Sequence, residues 1–479
     1  MYNRLVDDQH FYLTTTLPYV NAQPHIGFAL EIVAGDVICR YQKEILGKQV
    51  VFNTGTDEHG QKIYQEALKA KQNPQAYVDE YAAKFEDLKN LLNLSYTHFI
   101  RTTNADHKKA AQHFWQLCDQ HGYIYKKNYT VKYCVGCELG KTESELIDGH
   151  CPLHPNQNLE IREEENYFFK FSQFQAKLLQ YYQKNPTFVK PASKMKEITA
   201  FVKGGLQDFS ISRLKTKMPW GVAVPGDPEH VMYVWFDALI NYISTLGWPK
   251  NEVAFHQYWP GVQVAGKDNL RQQSAMWQAM LMAAGLLPSQ QILINGFISV
   301  AGQKMSKSLG NVISPTEMVE RYGADGTRYL LMNLGTFGTD MDVTWEKLDT
   351  TYTADLANGL GNLCSRVAKL AEQLKFQNAL QQPEMPADYS AAMDSFELLS
   401  ALKLIQALIV ELNEYLAKKE PWKLDAQGAL VVITQAVERI FLLGKLLSPF
   451  MPETAKLIIN HFSRPTIKAL EPLFPRLEK

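Results

Sequence analysis

The chain has 479 residues, 46% of them hydrophobic, which is enough for about three domains that each bury a core. Lysine and arginine number 49 against 50 aspartate and glutamate, so a polyanionic partner has to be met by local patches and not by the field of the whole molecule. The opening "MYNRLVDDQH" carries two aspartates and no apolar segment, and no later stretch approaches about 18 uncharged apolar residues, so no membrane partner is expected and the chain is placed in the cytoplasm.

In chain order, "FYLTTT" (11–16) reads as a buried strand. After the loop "LPYVNAQ", Pro24 suits the first helical position, His25 falls in the first turn, and Leu30, Val33, Val37, Tyr41 and Ile45 recur at helical spacing until Gly47. "QVVFN" then supplies a second strand. Strand, helix, strand implies parallel topology, and ligands of such a unit belong at the strand ends, where "LPYVNAQPHIG" and "TGTDEHG" both lie. From about 114 to 228 the composition shifts to Tyr, Lys and Cys and then to "PWGVAVPGDPEH", which reads as an inserted domain. "VMYVWF" and "QILINGFIS" are read as further strands, and between them "VQVAGKDNL" and a helix near 270–284 resume the alternating pattern, so the sheet is split across two segments. After about 345 strand signals vanish. Leu398, Leu402, Ile405, Ile409, Leu412 and Leu416 step by four and three, as a bundle helix does, and "FQNALQQPEMPADYS" reads as a loop between helices.

The fold class is therefore α/β: a Rossmann-like parallel-sheet nucleotide-binding domain split by an insertion and followed by an all-α bundle. The expected boundaries are 1–113 and 229–300 for the two halves of the sheet domain, 114–228 for the insertion, 301–345 for a loop and connecting region, and 346–479 for the helical domain.

Three stretches carry chemistry. In "PHIGFAL" a helix start offers unpaired N–H groups beside His25, and Gly27 has no side chain to block approach, a combination that attracts phosphate. "AGQKMSKSLGN" places Lys304, Ser306 and Lys307 on a loop bounded by Gly302 and Gly310, where flexible cations suit a moving polyphosphate. In "YCVGCELGKTESELIDGHCPLHPN", Cys134 and Cys137, then Cys151 and His154, have the two-plus-two spacing of a tetrahedral zinc knuckle. Four protein ligands close the site, so one structural Zn2+ is expected. Cys39, Cys118 and Cys364 stand alone, which suits a reduced compartment.

"PHIGF" and "KMSKS" resemble the two signature motifs of the class I aminoacyl-tRNA synthetases. "TLPYVNAQPHIG", "NTGTDEHG", "YVWFDALINY" and "GKDNLR" make the chain similar to the methionyl branch of that family over nearly its whole length. The resemblance implies a methionine–tRNA ligase that uses ATP with Mg2+. Its catalytic groups would be His25, Lys304 and Lys307, with Gly27 and Ser306 also at ATP. Asp57 would take the methionine ammonium. Leu17, Tyr19, Trp235, Ala238, Tyr242, Gln273 and Trp277 would surround its side chain. Asn362, Arg366 and Trp422 would read the anticodon of tRNA-Met. Phe28 stands where the family usually has a second histidine, so one phosphate contact is expected to be missing. Asn269 stands where an aliphatic residue is common and Gln273 where many members have histidine, so the methionine pocket is expected to be more polar. Two other readings are an adenylate-forming ligase with a non-tRNA acceptor and a non-catalytic tRNA-binding paralogue. The short ending "EPLFPRLEK" leads to the expectation of a monomer.

Overall fold

The computed structural model describes residues 9–137, 139–141, 146–305, 310–377 and 383–477. The chain forms two compact units, each assembled from separated segments: residues 1–23, 50–87 and 96–294, and residues 24–49, 88–95 and 295–479.

The first unit is organised by a six-stranded sheet. Its strands are β1 (His10–Thr15), β2 (Gln49–Thr56), β3 (His98–Arg101), β4 (Val189–Lys190), β5 (Val262–Gly266) and β6 (Gln291–Asn295), in the spatial order β3-β2-β1-β5-β6-β4. β1 pairs parallel with β5, β2 with β3 and β6 with β4. Apolar runs such as Phe11, Tyr12 and Leu13, all buried, are what a parallel sheet covered on both faces requires. The edge strand β4 comes from inside the segment expected to be an insertion, so that segment contributes to the sheet. A four-stranded antiparallel sheet beside it pairs Ile124–Cys134 with Glu160–Phe169 over ten positions.

Several expected elements change at their ends. "VMYVWF" is strand only through Met232, and Val234–Ala238 is helical. Buried bulky residues read alike in a strand and a buried helix. "QILINGFIS" breaks at Gly296, where a Cβ would lie 1.9 Å from the Thr339 carbonyl oxygen, so only glycine allows the two backbones to meet. The helix near 270–284 opens with a π-helical turn, Gln272–Met276.

The second unit is largely helical. Its helix Ile26–Arg40 runs on into a π-helical segment, Tyr41–Ile45, and Gly47 stops it with a φ of 70°. Helices Pro315–Asn333, Asn362–Gln373, Leu398–Lys419, Ala426–Leu447 and Pro452–Phe462 follow. The expected stripe Leu398, Leu402, Ile405, Ile409, Leu412 and Leu416 is buried throughout.

At the core of this unit lies an ion pair without solvent. Arg328 Nη2 stands 2.8 Å from Asp36 Oδ2, and both side chains are fully buried. Arg328 also donates to the carbonyls of Leu92, Pro449 and Phe450. Asp36 accepts from Arg40 at 2.8 Å and from the backbone N–H and hydroxyl of Ser95. Burial alone would push the Asp36 pKa up, but Arg328, Arg40 and Ser95 outweigh it and hold the carboxyl below its ordinary value.

Asp36→Asn is expected to cost about 3–5 kcal/mol in urea unfolding, because it strands a buried guanidinium. The lowered pKa sets the sign with pH: this stabilisation is complete above about pH 4 and is lost as pH falls through the folded-state pKa. Wild-type stability should therefore fall more steeply than that of Asp36→Asn as pH is lowered below about 4. Equal slopes would show that the pair is not what holds this core.

Candidate functional site

The turn that opens helix Ile26–Arg40 is built around His25, which is the N-cap with extended backbone, while Pro24 lies outside the helix and not at its first position. His25 Nδ1 accepts from the Gly27 N–H at 3.0 Å, and its carbonyl accepts from the N–H groups of Phe28 and Ala29. In the neutral ring the proton therefore sits on Nε2. A Cβ at Gly27 would lie 2.8 Å from His25 Cε1, so the imidazole can fold over the turn only because position 27 is glycine. His25 is exposed and Phe28 is half-buried.

Two segments that flank the lysine loop meet this turn. Ile26 N–H donates to the Ile313 carbonyl at 3.1 Å, and the Met305 methyl lies 3.8 Å from where a Gly27 Cβ would stand. Upstream, Lys304 ends the short strand Gln303–Lys304, which pairs with Ile298–Val300. Asp342 holds that hairpin by accepting from the Gly302 N–H at 2.6 Å and the Ser299 hydroxyl at 2.8 Å. Downstream, Ser314 and Glu317 form a capping box on helix Pro315–Asn333. Ser306 and Lys307 lie outside the described residues.

In the first unit the loops after β1 and β2 pair with each other. Asp57 N–H donates to the Pro18 carbonyl at 3.0 Å and Tyr19 bridges Asp57 in parallel. Asp57 is buried, Leu17 and Tyr19 are half-buried, and the Tyr19 ring meets Trp235 edge-on at 6.2 Å. Ala238 and Tyr242 follow on the same pair of short helices, both buried. The Tyr242 ring meets Trp277 at 5.9 Å, and Gln273 Nε2 donates to the Tyr242 hydroxyl at 2.6 Å. Gln273 Oε1, Trp277 Nε1 and Trp235 Nε1 are buried without a hydrogen-bond partner among the described residues. The structure thus gathers one carboxylate, aromatic faces and, among the described residues, donors and acceptors without a partner.

Sequence reasoning missed the groups that hold this loop. Glu58, fully buried, accepts from Arg101 Nε at 2.6 Å and Nη2 at 3.0 Å, and its carbonyl accepts from Trp220 Nε1 at 2.6 Å. His59 and His107 converge on buried Asp237. The only signal was the acidic and imidazole pair in "TDEHG", directly after the singled-out Asp57.

Cys134, Cys137, Cys151 and His154 come together with all ligand atoms within 4.8 Å of one another. Cys137 Sγ lies 3.4 Å from Cys151 Sγ and 3.2 Å from His154 Nδ1, and Cys134 Sγ lies 3.7 Å from that nitrogen. A tetrahedral ion with metal–sulfur bonds of about 2.3 Å separates its ligands by roughly 3.8 Å, so this donor set fits one metal ion. A Cβ at Gly136 would come within 2.5 Å of the His154 ring, so the glycine makes room for the imidazole.

In the helical unit Asn362 is exposed at the start of helix Asn362–Gln373. Arg366, one turn on, donates through Nη2 to Asn413 Oδ1 at 2.8 Å, and burial lowers its pKa. Its Nε is buried without a partner among the described residues. Trp422, 51% exposed, projects from the separate turn Pro421–Lys423.

Residues 11–158 and 141–368 match the class I tRNA synthetases (M), and residues 368–471 match the anticodon binding domain of methionyl tRNA ligase. The methionine–tRNA ligase of Thermotoga maritima is 39% identical over 95% of this chain and 75% of its own length. That of Thermosynechococcus vestitus is 40% identical over 94% of this chain and 89% of its own. The Mycobacterium tuberculosis methionyl-tRNA synthetase in complex with methionyl-adenylate superimposes with a TM-score of 0.90 at 34% identity, covering 97% of this chain and 99% of that one.

Gly136→Ala is expected to reduce bound metal, measured by elemental analysis, from about one ion per chain to well under half, because the new methyl displaces a ligand. Full metal content in that variant would show that His154 is not a ligand.

Proposed function

This chain belongs to the methionyl members of the class I aminoacyl-tRNA synthetases, and on that premise we propose how its residues divide the work. The reaction is that of a methionine–tRNA ligase. An α-carboxylate oxygen of L-methionine attacks the α-phosphorus of ATP, the bond to the bridging oxygen breaks, and diphosphate leaves. A hydroxyl of the terminal adenosine of tRNA-Met then attacks the acyl carbon of methionyl-adenylate, and AMP leaves. The substrate supplies the nucleophile in both steps, so the protein contributes position and charge.

His25 and Gly27 meet the phosphates of ATP, which arrives with Mg2+, and Lys304, Ser306 and Lys307 hold the departing diphosphate. The observation that carries this reading is the hydrogen bond from Ile26 to Ile313, with Met305 beside Gly27: the two signature segments adjoin on one helix N-terminus. Asp57 pairs with the methionine ammonium. Leu17, Tyr19, Trp235, Ala238, Tyr242 and Trp277 enclose its side chain, a soft thioether that aromatic faces suit. Gln273 replaces the usual imidazole beside Tyr242. Asn362, Arg366 and Trp422 take unstacked anticodon bases, and the unpartnered Nε of Arg366 supports a planar hydrogen-bonding role there. The knuckle ion is Zn2+, since three thiolates and an imidazole select it, and with four protein ligands it is structural. The protein works in the cytoplasm, with an inserted segment 114–228 that lends strand β4 to the sheet domain and a helical domain from 346 onward.

ATP–diphosphate exchange measured with each of the twenty amino acids tests the reading. Methionine is expected to drive exchange about 100-fold above any other, the range a shaped apolar pocket supplies. Exchange with a different amino acid, or with none, would overturn it. In the same assay Gln273→His should change the methionine KM by about 2- to 12-fold, the worth of one hydrogen bond, while the ATP KM stays fixed. An unchanged methionine KM would show that position 273 does not touch the substrate.

A further inference from the structure

Behind the amino-acid pocket lies a buried chain of polar groups that the reaction does not consume. Asp237 is fully buried and uses both oxygens: Oδ2 lies 2.6 Å from His59 Nδ1 and Oδ1 lies 2.8 Å from His107 Nε2. A carboxylate only accepts, so both imidazole nitrogens donate. His107 Nδ1 lies 2.9 Å from Ser244 Oγ, which extends the chain to a fourth residue. His59 is 1% exposed and His107 0%. Burial opposes ionisation of Asp237, yet His59 and His107 bring its pKa down to about 2, so the carboxylate stays charged in the dry interior.

The members of this chain interleave with the proposed pocket. His59 follows Asp57 by two residues, Asp237 stands between Trp235 and Ala238, and Ser244 follows Tyr242 by two. One loop, the helix Ala105–Gln120 and two short helices are thereby tied together by charge-assisted hydrogen bonds. From its other side the same loop is tied by Glu58, through Arg101, the Thr56 hydroxyl at 2.7 Å and the Thr102 hydroxyl at 2.9 Å. Asp57 is thus followed by two anchored residues, Glu58 and His59, in addition to its own backbone bonds to Pro18 and Val20.

We infer that His59, Asp237 and His107 are positioning residues that set the separation between the Asp57 carboxylate and the Trp235–Ala238 wall, and so require a substrate to offer its ammonium and its side chain at one fixed spacing. The inference rests on the proposed roles of Asp57 and Trp235. It explains why a costly buried charge stands where an apolar residue would pack: a carboxylate with two fixed donors has one geometry, whereas apolar contacts slide. A ligand that engages both ends benefits from the preset spacing, and a ligand that engages one end does not.

Binding of two probes to the full chain tests this. Methioninol keeps the ammonium and the thioether, and 4-methylthiobutanoate keeps the thioether but has no ammonium. Asp237→Asn preserves volume and removes the charge, and His59→Gln removes one arm while leaving Asp237 paired with His107, which keeps the test open should Asp237→Asn not fold. In either variant methioninol binding is expected to weaken about tenfold, as a misplaced contact group does, while binding of 4-methylthiobutanoate stays within about twofold and the ATP KM is unchanged. Equal weakening of both probes, or no change in either, would overturn the inference while leaving the ligase reading intact. Failure of the wild type to prefer methioninol over 4-methylthiobutanoate would instead sink the role given to Asp57.

Discussion

Parallel strands leave their carboxyl ends on one edge of a sheet, and in this protein the loops after β1 and β2 go on pairing once the strands have ended. The Thr15 and Thr54 hydroxyls meet at 2.9 Å inside the sheet, and beyond it Asp57 and Val20 continue the ladder through Pro18 and Asp57 carbonyls. This short extension fixes Asp57 next to Tyr19, and Tyr19 in turn meets Trp235. The proposed amino-acid site therefore depends on a backbone register, which a parallel sheet buried on both faces specifies strongly.

Each unit spends buried charge on holding a site in place. In the first, Glu58–Arg101 and the two histidines on Asp237 fix one loop from opposite sides. In the second, Arg328 gathers three carbonyls and Asp36, and it lies beyond Gly323, whose φ of 71° and ψ of 168° break Pro315–Asn333 into two helices; the first of these begins with a capping box one residue after Ile313. The lysine loop is thus strung between two fixed posts, the hairpin held by Asp342 and the cap at Ser314. Hydrogen bonds from Gly302 and Ser299 keep the exposed Asp342 carboxyl below its ordinary pKa, so this post is charged at neutral pH. A loop that has to follow a leaving polyphosphate needs such ends, because its reach is then set by chain length and not by the drift of its neighbours.

Much of this was legible in the sequence where the signal was local. The Cys134, Cys137, Cys151 and His154 spacing needed no fold to be read, since metal geometry alone relates four donors. The bundle stripe from Leu398 to Leu416 was legible because a helix with one wet face leaves a periodic record. "VMYVWF" misled because a segment buried on every side has no period. Pro24 and His25 were displaced by one position because a cap is defined by backbone dihedrals that adjacent residue types do not encode uniquely. The His59, Asp237 and His107 cluster was invisible for a different reason: its members are 48 to 178 residues apart in sequence, and each alone is an ordinary polar residue. The residues proposed for the pocket were singled out only through resemblance to a family, as their periodicity is that of core packing.

The cysteines outside the knuckle sharpen the chemical argument. Cys39, Cys118 and Cys364 are buried, and burial raises all three thiols above their ordinary pKa, so none offers the thiolate that covalent catalysis requires. An enzyme whose substrate brings its own carboxylate nucleophile has no need of one. What it does need is to hold three reactants in a geometry that water would not supply, and the charge developing on phosphate has to be met by groups already in place. That demand explains where the buried ionic groups of this chain lie. Asp237 and Glu58 adjoin the proposed pocket residues Trp235, Ala238 and Asp57 in sequence, where the cost of burying charge is converted into positional accuracy.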